Sequence, residues 1–225
     1  MNTKTKIATA AALAVAAASS PATAQVAGIA TSSPEAVIVR AQARINGYQQ
    51  IEQQYAAQIQ QVRTLRQEMN TLQQSLDTNK DGQLSQQEVD ANKNVVTQIQ
   101  TKEQTVAQVS QPIVLAQTYV IEQLINDYNN AQQVVVNQKK INLLLTPDAI
   151  QWAPDAVNVT TDIVNALNQR MPSVQITPPA GSRPRQESLS TQQTVGQILL
   201  GVAQQQAAAQ AQQAQTTQQQ QPTGR

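Results

Sequence analysis

The 225-residue chain contains no cysteine, no histidine and no phenylalanine, and only 2% of its residues are aromatic. Without cysteine, disulfide bonds are excluded, and without cysteine or histidine the common nucleophile and base pairs of enzymes cannot be built. The sequence also has no glycine-rich phosphate loop, so we expect a protein that is not an enzyme. Because large apolar side chains are scarce, a single chain has little surface to bury in a compact core, which favours slender helices and self-association.

Residues 1–24 have the features of a secretory signal peptide. Lys4 and Lys6 precede a small-residue apolar run over residues 7–18, which is too short to span a bilayer, and Ala22 to Ala24 matches an A-x-A cleavage site. Removal of this segment takes two lysines from the 15 basic residues and leaves 13 against 14 acidic residues, a net charge of −1. We therefore expect an exported protein with no transmembrane segment in its mature form and no nucleic-acid partner.

The twelve residues 77–88, with the sequence DTNKDGQLSQQE, match the spacing of an EF-hand calcium loop. Such a loop takes oxygen ligands from positions 1, 3, 5, 7 and 9 and a bidentate carboxylate from position 12, with glycine at position 6, here Gly82. Calcium is therefore the predicted cofactor, held at modest affinity. The candidate metal ligands are Asp77, Asn79, Asp81, Gln83 through its carbonyl, Ser85 and Glu88.

A purely structural alternative explains part of the same stretch. Ser85 and Glu88 also have the S-x-x-E spacing of a capping box, which would begin a helix, and Gly82 is a natural stop for the helix before it. This alternative does not account for Asp77, Asn79 and Asp81 at alternate positions.

Apolar residues on both sides of the loop recur at heptad spacing. Before the loop, the apolar residues lie alternately three and four residues apart, provided that the polar Gln58 is counted as one of these positions. A similar pattern follows the loop. We expect a long antiparallel helical hairpin over about residues 34–138, a coiled coil with the loop at its tip and a kink near Gln111, ahead of Pro112. The apolar positions are Tyr48, Ile51, Tyr55, Val62, Leu65, Met69, Leu72 and Leu76 in the first arm, and Val95, Val96, Ile99, Val106, Val109, Ile113, Val120, Leu124, Ile125, Tyr128 and Val135 in the second.

The pattern changes after the hairpin. Residues 141–145 and 149–152 are short apolar runs separated by a turn, and with residues 26–30 they predict the strands of a small β body. Thr160 or Thr161 can cap a short helix that continues to Leu167. The predicted fold class is therefore α+β, mostly α.

Residues 171–225 are rich in proline, glutamine and alanine, which predicts a mostly disordered tail. The exception is a set of apolar residues at helical spacing, which predicts a transient amphipathic helix. Its members are Val195, Ile198, Leu199 and Val202. A docking or membrane-surface role is the functional alternative, although the stretch has no lysine or arginine to bind anionic lipid.

The order of these segments resembles the OmpH/Skp family of periplasmic chaperones. The resemblance covers about residues 26–170 and is carried mainly by the closing segment KKINLLLTPDAIQWAPDAVNVTTDIVNALNQR, with its short strand, the turn at Asp148, the Pro154-Asp155 step and the helix start near Asp162. It implies a periplasmic homotrimer in which strands form the body and hairpins project as tentacles around a cavity. The calcium loop and the glutamine-rich tail are additions to the family pattern.

The resemblance implies an ATP-independent holdase that binds unfolded outer-membrane proteins. Members of this family are often strongly basic, and the near-neutral mature chain gives no reason to expect a lipopolysaccharide site. The alternative function is that of a calcium-binding structural or adaptor protein of the cell envelope, whose coiled coil binds one folded partner.

Overall fold

The structure, a computed structural model, describes residues 28–219, so the predicted signal peptide lies outside the described residues. Within this range the chain forms helices and two short strands, with 3-10 turns at Pro147–Ala149 and Asp155–Val157. Their order is β1 (Ile29–Thr31), α1 (Pro34–Arg40), α2 (Gln42–Gln54), α3 (Ala56–Leu76), α4 (Gln86–Ala91), α5 (Lys93–Lys139), β2 (Leu143–Leu145), α6 (Thr160–Arg170) and α7 (Gln186–Gln219).

The predicted helical hairpin is present, with α3 packed along α5 and the loop between them at the tip. An ion pair of 2.5 Å between Lys102 and Glu68 links the two arms. The first arm is divided into α1, α2 and α3, because the backbone leaves helical geometry at Ala41 and Tyr55. The second arm begins with α4, and α5 then runs without a break across the exposed Pro112.

The main hydrophobic core lies at the other end of the hairpin. The second half of α5 packs there against α1, α2, α6 and α7, and the buried side chains are aliphatic. Full burial of each large aliphatic side chain contributes about 1.5–3 kcal/mol to folding. The largest fully buried apolar residues are Ile51, Ile121, Leu124, Ile163, Leu167, Val37, Val120 and Val195.

The β body is smaller than the sequence predicted. β1 and β2 form a parallel pair in which Ile29 lies opposite Leu143, and Thr31 forms an isolated bridge with Asn158. The strand expected within residues 141–145 is confirmed, while the strand expected over residues 149–152 is wrong. A 3-10 turn over Pro147–Ala149 includes the first of these residues, and residues 150–152 form neither helix nor strand.

Two neighbouring predictions are adjusted by the structure. The first strand was expected over residues 26–30, of which 26 and 27 lie outside the described residues; the observed strand ends one residue later, at Thr31. The predicted short helix is confirmed as α6 and extends to Arg170. The Thr160 hydroxyl does not cap α6 but accepts a hydrogen bond of 3.2 Å from the Ser33 amide, which joins α6 to the start of α1.

The prediction of disorder over residues 171–225 is wrong for the residues that the structure describes. Residues 171–185, here called the strap, cross α5, and the Gln175 backbone exchanges hydrogen bonds of 2.7 and 2.9 Å with the Gln123 side chain. Val174 of the strap and Val120 of α5 both lie close to Gly47. A Cβ added at position 47 would be 3.0 Å from the Val174 side chain. Glycine at this position therefore lets the strap approach α2 closely.

The strap leads into α7, which packs on α1 and α5. Arg185 contacts Glu122 and Asn126, whereas Gln192 contacts Gln117, so α7 runs antiparallel to α5 and back in the direction of the tip. The predicted amphipathic helix is thus confirmed as part of α7 and docks on the body. The composition of the tail predicted disorder, but its apolar residues at helical spacing pack on α1 and α5.

Candidate site at the hairpin tip

The tip is built from a helix end, a loop with two left-handed residues and a new helix start. α3 ends at the buried Leu76. Lys80 and Gly82 then adopt φ values of 59° and 79°. No heavy atom lies within 4 Å of a Cβ placed on Gly82, so glycine is favoured there by the backbone angle alone. Ser85 begins α4 with a complete capping box to Glu88, so the structural alternative for these two residues is confirmed.

The first three predicted ligands are gathered by the backbone of the loop. The Asp77 carboxylate accepts hydrogen bonds from the amides of Asp81 and Gly82, at 3.1 and 2.9 Å. The side-chain oxygen of Asn79 accepts from the Asp81 amide at 2.9 Å, and Asp81 accepts from the Gln83 amide at 2.8 Å. Hydrogen bonds from the backbone amides of residues 81–83 therefore hold three oxygen-bearing side chains close together.

Glu88 is buried and receives hydrogen bonds from both ends of the loop. Its Oε1 accepts from the Thr78 amide and hydroxyl at 2.8 and 2.9 Å and from the Asn79 amide at 3.2 Å. Its Oε2 accepts from the Ser85 amide and hydroxyl at 3.0 and 2.8 Å. These bonds, led by the one from the Ser85 amide, lower the pKa of Glu88 to about 2.

The residues of the loop meet the needs of a calcium ion in part. The donor set is all oxygen, which is what calcium prefers, and Asp77, Asn79 and Asp81 lie together. Glu88 and Ser85 form a separate group with Thr78, and within residues 28–219 no three acidic side chains are close enough together to hold a metal ion. As arranged here, Glu88 does not fit the role of a bidentate ligand.

Sequence reasoning missed Thr78, which donates two hydrogen bonds to Glu88. Position 2 of the EF-hand pattern carries no required residue, so nothing in the spacing pointed to it.

The arms between the tip and the body have an incompletely buried seam. Over residues 56–112 the buried apolar side chains are Val62, Leu76 and Ile99, and the main core includes no residue of this stretch. The other seam residues are half-buried. Outside the seam, apolar side chains reach solvent at Leu84 in the tip loop, 48% exposed, and at Val114 on α5, 39% exposed. The half-buried seam residues are Ile59, Leu65, Met69, Leu72, Val95, Val96, Val106 and Val109.

A second apolar surface lies near the short sheet. Ile29 and Leu143, which are paired across β1 and β2, are 40% and 47% exposed, and Trp152 is 80% exposed. Trp152 and Thr31 line the same shallow pocket, which places the tryptophan beside β1. We call Ile29, Leu143 and Trp152 the sheet patch.

No model of a protein family matches the sequence, and no curated protein matches it. Among solved structures, a protein of Caulobacter crescentus provisionally described as an OmpH-like outer membrane chaperone is similar, with a TM-score of 0.41 and 20% sequence identity. The similarity covers 70% of this chain and 90% of that chain. Within residues 28–219, no helix has the length and apolar character needed to cross a membrane.

Proposed function

We propose that this protein is an ATP-independent periplasmic holdase that binds unfolded outer-membrane proteins between its helical arms. The observation that carries the proposal is the incompletely buried seam of the arms, which stand apart from the packed core. The sequence resemblance of the closing segment to the OmpH/Skp family supports the same function.

The chemistry of the arms suits weak binding of unfolded chains. Half-buried valine, leucine and methionine side chains offer apolar contacts, and the exposed positions between them are largely polar, with many glutamines that donate and accept hydrogen bonds. Segments of an outer-membrane β-barrel alternate apolar and polar residues, so they match such a mixed surface. Contacts of this kind are individually weak, which allows a client to be released without ATP.

Assembly into a homotrimer forms part of the proposal. β2 pairs with β1 on one side, and the described part of the chain offers no strand for its other side. An open strand edge beside the sheet patch is a surface that further copies could cover. A trimer would place three hairpins around a shared cavity.

Aggregation of a denatured β-barrel outer-membrane protein, followed by light scattering without ATP, tests the holdase function. The mature chain at a stoichiometric excess is expected to suppress the scattering. A double variant in which the exposed Leu84 and Val114 are each replaced by glutamate should suppress the scattering less. The substitutions remove apolar contact area and leave the core intact.

The matched control replaces the exposed Gln74 and Gln111 with glutamate, which adds the same charge at two exposed polar positions of the hairpin and should leave suppression unchanged. Failure of the mature chain to slow aggregation at any ratio would reject the proposal. Recovery of one folded partner in a pull-down, with no effect on aggregation, would instead favour the adaptor function.

Calcium binding at the tip is a separate proposal. Asp77, Asn79, Asp81 and the Gln83 carbonyl would supply oxygen ligands, with Ser85 acting directly or through water. Glu88 would join them only after leaving its present hydrogen bonds. Calorimetry of the mature protein should show heat on adding millimolar calcium but not magnesium, and Asp77→Ala should abolish it. Equal traces for both ions would refute calcium-specific binding.

A further inference from the structure

We propose that the carboxylate of Glu88 closes the hairpin tip by itself, as a clamp that does not require a metal ion. The clamp consists of Glu88, Thr78, Asn79 and Ser85. It is independent of the holdase function and differs from a calcium-organised loop, in which position 12 would be a metal ligand.

The position of the Glu88 partners along the chain gives the clamp its effect. Thr78 and Asn79 follow directly after α3, whereas Ser85 begins α4. Oε1 of Glu88 accepts hydrogen bonds from Thr78 and Asn79, and Oε2 accepts them from Ser85. A single carboxylate therefore joins the end of one arm to the start of the other. Hydrogen bonds to an ionised acceptor are roughly twice as strong as neutral ones, so this link is a strong one.

The same contacts make the clamp and a bidentate metal ligand mutually exclusive. An ionised carboxylate has about four lone-pair sites, and five donors already lie within hydrogen-bond distance of Glu88. To ligate an ion through both oxygens, Glu88 would have to give up hydrogen bonds at both: at least two of the three from Thr78 and Asn79, and at least one of the two from Ser85. Bidentate metal binding by Glu88 would therefore require the hydrogen bonds of the tip to rearrange.

Burial supports this assignment. Glu88 is 7% exposed, although its neighbours in the loop, from Thr78 to Ser85, are exposed. A buried carboxylate is costly unless it is fully hydrogen-bonded, and here its donors all come from the tip. Removing its charge would leave these donors with a poorer acceptor.

Amide hydrogen exchange of the full mature protein, measured by NMR in the presence of a calcium chelator, tests the clamp. The amides of Thr78, Asn79 and Ser85 are expected to be protected in the wild type. Glu88→Gln preserves the shape of the side chain but removes its charge and one acceptor, so protection at these amides should fall at least about tenfold.

Asp90→Asn is the matched control, because it also removes one negative charge close to Glu88, and Asp90 is an exposed residue of α4 that belongs neither to the clamp nor to the candidate calcium ligands. It should change the protection of the same three amides by less than about twofold. The proposal is overturned if these amides are unprotected in chelator and become protected only when calcium is added, or if Glu88→Gln leaves them unchanged. Calcium that leaves the protection unchanged or lowers it agrees with a clamp that acts without metal.

Discussion

The side chain of Val195 is fully buried, although it stands in a segment dominated by glutamine and small residues. It belongs to the main core, where α7 packs on α1 and α5. Val195→Asp would place an unpaired charge in this apolar site, and we expect a loss of about 3 kcal/mol or more in the free energy of unfolding. Urea unfolding of the mature protein, followed by far-UV circular dichroism, measures this loss.

Leu200→Asp provides the control for Val195. Leu200 lies on the same helix but is 60% exposed, so the same substitution there should change the free energy of unfolding by no more than about 0.5 kcal/mol. Equal effects of the two substitutions would show that α7 does not pack on the body in solution.

Among the elements, the helical arms were the most predictable from sequence. Their heptad pattern is a local signal repeated many times, and it anticipated both the hairpin and its tip. The breaks at Ala41 and Tyr55 have no such signal, since neither residue is a proline or a glycine. They lie where the first arm meets the body, and packing against α5 and α6 sets the path of the chain there.

The tail was mispredicted because its composition and its packing give opposite indications. Glutamine and alanine have good helix propensity, but a chain with few large apolar residues is expected to stay unfolded unless a partner surface exists. Strap contacts such as Gln175 with Gln123 and Val174 with Gly47 provide that surface, and they link residues far apart in the sequence. No local pattern reveals contacts of this kind.

The tip was predicted in part for a related reason. The grouping of Asp77, Asn79 and Asp81 follows from their spacing, because each side chain reaches a backbone amide a few residues further on. The orientation of the Glu88 side chain does not follow from the spacing, since the same residues satisfy both an EF-hand and a capping box. Thr78 decides the orientation by adding donors that neither pattern includes.

At the scale of the whole molecule, the small sheet leaves apolar side chains exposed beside β1 and β2. The core is confined to one end of the hairpin, and the sheet patch exposes two aliphatic side chains and the chain's one tryptophan. Burying these side chains between copies would add the apolar contact that one chain lacks. Self-association through the sheet patch is therefore the expected means of stabilisation.

Trp152 lies in the sheet patch, so its fluorescence can be used to test this expectation. Native mass spectrometry of the mature protein should show three subunits, and dilution should shift the Trp152 emission to longer wavelength as the subunits separate. Leu143→Asp would place a charge in the sheet patch and should yield monomers, because an unpaired charge at an apolar interface costs several kcal/mol. Leu84→Asp, at the distant tip and equally exposed, should leave the trimer intact. A wild-type protein that stays monomeric at every concentration, with constant emission, would mean that the sheet patch serves another partner and that the arms work singly.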